Sequence, residues 1–267
     1  MERTFAARRN TVGERDRRAL DPFGAACVKI VFSRKGFDSA SGGGPSPIMD
    51  GQPVSLPIPG GVASRTSYGD LGLGEHVARA SRGRFGAGDL CHQDPMFLPD
   101  GTCLFGQCGA AQTHLGNQGV GVGDVFLFFG LFREEGGAPH HRIFGYMEVW
   151  EIVDLTRGVP DHLVEHAHPH ALALHAANDA VYIGPGTQAR RASDALRLTV
   201  PEGPPSVWHR PDWLKRGGLS YHDRAERWLR GGRLKSVARG QEFVADVGRR
   251  KAPREWLARV LAEIRAS

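Results

Sequence analysis

Five consecutive apolar residues, Val125-Phe126-Leu127-Phe128-Phe129, follow the turn signal Gly123-Asp124, and nothing else in the chain constrains its fold as strongly. An apolar run of that length, bounded by turn residues, reads as a strand buried on both faces, so other elements must cover two sides of a sheet. A partner strand follows the Glu134–Pro139 loop. From His141 to Val153 the apolar positions Ile143, Tyr146 to Met147 and Val149 alternate with one slip, which predicts a returning strand with a bulge at Gly145. Val28 to Phe32 reads as a first strand, Asn178 to Gly184 as a turn into a short one, and Leu196 to Val200 as another. Val54 to Pro59 is an edge-like extended piece, because its prolines cannot donate ladder bonds. Asp70 to Arg82 looks helical. Ser220 to Arg230 and Pro253 to Arg265 also read as helices, the second with Pro253 in its first turn and Trp256, Val260 and Ile264 on one stripe. The expected class is α+β, a mixed or antiparallel strand-rich core with C-terminal helices packed on it.

The 267 residues contain no stretch of about eighteen unbroken apolar residues, so no transmembrane helix is expected. Met1 to Asp21 lacks the apolar region of a secretory signal. Cys27, Cys91, Cys103 and Cys108 form no C-x-x-C pair, which argues against a disulfide scaffold and a thiolate zinc site, and the expected compartment is the cytoplasm. Residues 1–27 lack periodicity and are expected to be a disordered or mis-annotated extension, with Val28 the candidate true start. Residues 28–267 are then a single domain with a basic helical part at 206–267.

That last part carries fifteen Lys/Arg against seven Asp/Glu in a chain of net charge +5. Such a segment attracts polyanions, nucleic acid among them, or simply forms a solvated helical face. The first strand empties into Ser33-Arg34-Lys35-Gly36-Phe37-Asp38-Ser39 and then a Gly-rich loop, a combination of cations, hydroxyls and backbone N–H groups suited to an anion. It is not a Walker loop, and Gly119, Gly121 and Gly123 have the wrong spacing for a dinucleotide fingerprint. His92 and Asp94 stand two positions apart and share one side if extended, able to move protons or to stabilise a turn into Pro95. His166, His168 and His170 alternate as a zinc or iron half-site would, but no carboxylate sits at fixed spacing, and no metal is expected.

Taken together, residues 28–44 (VKIVFSRKGFDSASGGG), Pro45-Ser46-Pro47-Ile48, His92-Gln93-Asp94-Pro95 and Phe105 to Phe132 resemble the nucleotide modification associated domain 3 family, collinearly over about residues 28–265. The resemblance implies association with DNA base-modification and restriction-type systems, with DNA or a nucleotide and other proteins of such systems as partners. It names no reaction and no cofactor. Polar positions shared with the family pattern are Ser33, Arg34, Lys35, Asp38, Ser39, His92, Asp94, Gln107, Gln112, His114 and Gln118. Gly123 to Phe129 with Arg142 to Val149 is also similar to the paired strands of PUA-like barrels of the ASCH and EVE type, which commonly bind RNA or modified bases. In a barrel mouth Gln107, Gln112, Asn117 and Gln118 suit the reading of a base edge.

Three functions stand open. One is an enzyme on a nucleotide or base, in which Arg34, Lys35, Ser39, Gln107, Gln112 and Gln118 bind while Ser33, Asp38, His92, Asp94 and His114 supply the chemistry. The second is a non-catalytic reader of modified bases that recruits partner enzymes, and the third is a scaffold. An enzyme should gather Ser33, Arg34, His92, Gln112 and His114 in one closed pocket, whereas a reader should line an open basic groove.

Overall fold

In a computed structural model, which describes residues 28–61, 64–238 and 242–266, a ten-stranded mixed sheet carries the fold. In chain order the strands are β1 (Val28–Arg34), β2 (Ser46–Met49), β3 (Gln52–Pro53), β4 (Ile58–Pro59), β5 (Cys91–His92), β6 (Met96–Phe97), β7 (Thr102–Gln107), β8 (Val125–Glu134), β9 (His140–Glu148), β10 (Glu151–Asp154), β11 (Ala180–Gln188), β12 (Val207–His209), β13 (Trp228–Leu229), β14 (Arg233–Lys235) and β15 (Glu242–Gly248). The helices are α1 (Gly74–Ser81), α2 (Gly109–Asn117), α3 (Asp161–Glu165), α4 (Pro169–Leu172) and α5 (Lys251–Ala266). The main path runs β15-β1-β8-β9-β11-β7-β6, with β2, β3 and β10 attached beside it, while β4–β5 and β12-β14-β13 form separate small sheets. β1 is parallel to β8 and antiparallel to β15.

The central strand β8 shows why the chain needed two layers. Val125, Leu127 and Phe129 pack on one side of the sheet, into the cluster that includes Leu257, Val260, Leu261 and Ile264 of α5. Phe126, Phe128 and Phe132 point to the other side, against Phe105, Phe144 and Tyr182. A strand covered on both faces loses its alternation of apolar and polar residues, which is the pattern this sequence displays. The α+β class is met, and α5 docks through the predicted stripe, Trp256 being the half-buried member. The bulge also appears: Phe128 pairs with Gly145 and Phe129 with Ile143, so Phe144 is the extra residue, one position from the glycine expected.

Among the described residues β15 and β6 end the path without pairing to each other, so the sheet is an open half-barrel and closure into a PUA-like barrel is not established. No helix of the described residues is long and apolar enough to cross a membrane. The expectation for residues 1–27 lies outside the described residues.

Two expected elements differ. Ser220 to Arg230 is not a helix but a turn, a single 3-10 turn (Ala225–Arg227) and β13. Non-helical bonds override its helical propensity: Ser220 exchanges bonds with Val244 of β15, and within the segment the Trp228 indole donates to the His222 carbonyl at 2.6 Å. Gly231 and Gly232, both with positive φ, then reverse the chain into β14. Leu196 to Val200 gives isolated bridges, Arg197 with Arg142 and Thr199 with Trp208, instead of a strand. Helix α2, in Gly109-Ala110-Ala111-Gln112-Thr113-His114-Leu115-Gly116-Asn117, carried no sustained apolar stripe and was not expected; it buries only Leu115.

Candidate functional site

A cleft of about 730 Å³ opens where β1 ends, between the β4–β5 pair, the end of β7 and the segment around α4. Its polar lining comes from segments far apart in the chain: Lys35, His92, Asp94, Gln107, His170 and His175.

Strand alternation explains the floor. Ser33 and Lys35 project to the same side of β1, and Ser33 pairs with Glu242 on β15. One carboxylate oxygen of Glu242, Oε1, accepts from Ser33 Oγ at 3.1 Å, Lys35 Nζ at 3.1 Å and Gln107 Nε2 at 2.7 Å. Its second oxygen, Oε2, is buried without a hydrogen-bond partner. The Lys35 ammonium also lies 4.3 Å from the centre of the Phe105 ring. The Gln107 amide is occupied on both ends, because its Oε1 accepts the Cys108 N–H at 3.1 Å.

The wall is a set of four imidazoles and two carboxylates. His92 Nε2 lies 3.9 Å from Asp94 Oδ2, and the Gly106 N–H donates to Asp94 Oδ1 at 2.8 Å. His168 is wholly buried with its Nε2 3.5 Å from Asp94 Oδ1, longer than a good hydrogen bond. His170 donates from Nδ1 to Asp179 Oδ1, while Asp179 Oδ2 takes the His175 N–H at 2.7 Å. The His92 ring meets the rings of His170 and His175 edge-on at 5.2 and 5.5 Å, and His170 stacks on His175 at 4.4 Å. Local sequence builds this geometry. Pro169 starts α4, and Gly106 lets the His170 ring lie against β7, where a Cβ would stand 2.2 Å from ring carbon Cδ2.

Burial pushes the His92 imidazole down to about 4, overcoming the pull of Asp94, and the three neighbouring imidazoles act the same way. His92 is therefore neutral at physiological pH. Burial alone would raise Asp94, but His168, His170 and Lys35 outweigh it and hold the carboxyl well below the usual carboxylate range. Asp179 is likewise lowered against its burial, by His170 and His175. Cys108, at the start of α2 and in the cleft wall, is pushed up by burial and by Asp179 and Asp94, so it is a thiol and not an activated thiolate.

The structure brings together Arg34, Lys35, Asp38, His92, Asp94 and Gln107 of the residues named from sequence. Ser33 lies beneath the cleft on Glu242. Arg34 is clasped, its guanidinium donating to the Val237 and Ala238 carbonyls at 2.7 and 2.9 Å between the rings of Phe129 and Phe243. Asp38 builds its own loop by accepting the N–H groups of Ala40 and Ser41. Ser39, Asn117 and Gln118 are exposed and, with Gln112 and His114, lie outside the lining. Gln112 accepts from the Tyr182 hydroxyl at 3.0 Å, and His114 Nε2 stands 3.0 Å from Ser220 Oγ. His166, His168 and His170 do not alternate along a strand, since His168 caps α4 and His170 sits within it. Glu242, His175 and Asp179 were not singled out from sequence; an acid opening the otherwise apolar Phe243–Ala245 run was the available signal for the first.

Two groups among the described residues have the composition and spacing to hold a metal ion: His92, Asp94 and His170, and His170, His175 and Asp179, the donor atoms of each lying within 4.8 Å of one another. The second would have to give up the bond between His170 and Asp179.

Compared with known families, residues 29–246 match the family described as nucleotide modification associated domain 3. No curated protein and no solved structure matches the chain.

Proposed function

Because the chain belongs to the nucleotide modification associated domain 3 family, and so has a nucleotide-modification-associated role, we propose that its cleft holds a nucleotide or an extruded nucleic-acid base for modification. The observation that carries this reading is the convergence of Lys35, His92, Asp94, Gln107 and His170 on one cleft from four separate segments. At about 730 Å³ the cleft falls within the usual range for small-molecule sites. Ile58, the cross-strand partner of His92, together with Pro59 and Leu174 adds apolar surface to the lining beside the imidazoles, so a flat heterocycle can meet both greasy and polar groups there.

A non-catalytic reader would call for an open basic groove. Here Arg34 and Lys35 are tied to internal partners, and Asp38, Asp94, Asp179 and Glu242 outnumber them in and directly behind the lining. That balance favours chemistry over simple capture of a polyanion. Lys35 fixes the Glu242 floor, while His92, neutral at physiological pH, and His170 line the substrate space with ring nitrogens able to bind or orient an electrophilic group.

Nucleoside mass spectrometry of DNA from cells with the protein, without it, and with Asp94→Asn tests the proposal. A modified nucleoside that depends on the wild-type chain and is lost with the variant is expected. Identical nucleoside profiles in all three would overturn it.

A further inference from the structure

Four imidazoles and two carboxylates in contact, most of them buried, are an expensive arrangement unless something shares their lone pairs. His168 is 0% exposed, and neither of its ring nitrogens has a hydrogen-bond partner. It packs 5.8 Å from His170 and 3.5 Å from Asp94, the residues at the centre of the cluster. The hydrogen bonds that do exist orient the rest. His170 Nδ1 donates to Asp179 Oδ1, which orients the ring and leaves Nε2 as the nitrogen that can bind an ion, the arrangement typical of a ligating histidine. The Gly106 N–H holds one oxygen of Asp94, leaving the other towards His92 Nε2.

The structure assigns His92, Asp94 and His170 as the protein ligands of a divalent transition-metal ion, with its remaining positions open to the cleft. Two imidazoles and one carboxylate suit zinc or ferrous iron and do not suit magnesium or calcium, which prefer oxygen. The donor atoms lie within 4.8 Å, and His92 Nε2 to Asp94 Oδ2 is 3.9 Å. Ligands at about 2.1 Å from one ion stand roughly 3.0–3.5 Å apart, so closure needs only side-chain adjustment. Charge points the same way. The carboxylates of Asp94, Asp179, Asp38 and Glu242 exceed the charges of Arg34 and Lys35 by two, which a dication balances, making room for an anionic nucleotide. That last role rests on the reading of the cleft given above; the ion site does not.

The test uses the full chain and metal alone, without nucleotide, so its result is independent of that reading. Metal-stripped protein is titrated with Zn²⁺ by calorimetry and with Co²⁺ by visible absorption. One equivalent is expected, with the d–d bands of a nitrogen- and oxygen-ligated ion. Asp94→Asn and His92→Gln should each weaken binding at least a hundredfold, and Asp179→Asn, which removes only the orienting partner, about ten- to a hundredfold. Circular dichroism checks that each variant is folded, and the exposed His209→Gln serves as control. Absence of stoichiometric binding to the wild-type protein, or binding that Asp94→Asn and His92→Gln leave unchanged while folded, would overturn the assignment.

Discussion

Lys35 Nζ and Glu242 Oε1 meet 3.1 Å apart inside the protein, with only 10% and 1% of their side chains exposed. Strand β1 thereby joins its neighbour β15 through side chains as well as backbone, and the floor of the cleft is built from residues 207 positions apart. A buried pair of this kind adds little over an apolar pair, yet breaking it strands a charge. Lys35→Met and Glu242→Gln should each destabilise the protein by about 3 kcal/mol, and the double variant by less than their sum. Urea denaturation of all four proteins checks this, and strict additivity would show that the two groups are not coupled.

Gly106 and His170 are in contact because the former has no side chain. Gly106→Ala places a methyl 2.2 Å from Cδ2 of the imidazole, so the ring must leave its bond to Asp179. Overpacking of this kind costs about 1–3 kcal/mol. Shrinking the partner should relieve it: Gly106→Ala with His170→Ala is expected to lose less stability than the two single variants combined. A double variant no better than the sum would mean that the strand shifts instead of the ring.

Stability should fall as the medium is acidified, and His141 is a specific cause. Burial pushes its imidazole down to about 3, with Arg34 and His140 adding to the effect, and its Nδ1 accepts the Trp208 indole N–H at 3.0 Å. A folded-state pKa below the unfolded value of about 6.5 means that the unfolded chain takes up protons first. The contribution is complete above pH 6.5 and is lost as pH falls towards 3. Between pH 7 and 5 this one group accounts for about 2 kcal/mol. His141→Gln keeps an acceptor for Trp208 and should flatten the stability profile by roughly that amount in chemical denaturation; an unchanged slope would place the acid sensitivity elsewhere.

The elements legible in the sequence are those whose pattern is local. β8 announces itself by five apolar residues after a glycine turn, β9 by its alternation and slip, and α5 by a stripe at helical spacing. Ser220 to Arg230 was misread because its conformation is decided by bonds to β15 and by the Gly231-Gly232 reversal, neither visible within its own window. The site divides in the same way. His92 and Asp94 lie two residues apart and could be paired by eye, whereas His170 finds its carboxylate in Asp179 only after a turn, and Ser33 meets Glu242 across 209 residues. Periodicity reports which face is buried; it carries no information about which distant polar side chains share that burial.

Arg34 and Lys35 are adjacent cations with separate duties, and conservative substitution tells them apart. The Arg34 fork holds the carbonyls of Val237 and Ala238, at the rim of the cleft, through two different nitrogens. A lysine there keeps the charge and cannot reproduce the fork. If Arg34 served as a point charge for phosphate, Arg34→Lys would preserve nucleotide binding and Arg34→Ala would abolish it. With a clasp, both variants should lose about 1–3 kcal/mol of stability and show faster amide exchange at Val237, whose N–H is held by His222 Nε2 at 3.3 Å. Hydrogen exchange read by mass spectrometry over peptides spanning 230–238, beside a nucleotide titration, separates the two outcomes. Wild-type exchange in Arg34→Lys together with retained binding would return Arg34 to the role of an anion ligand.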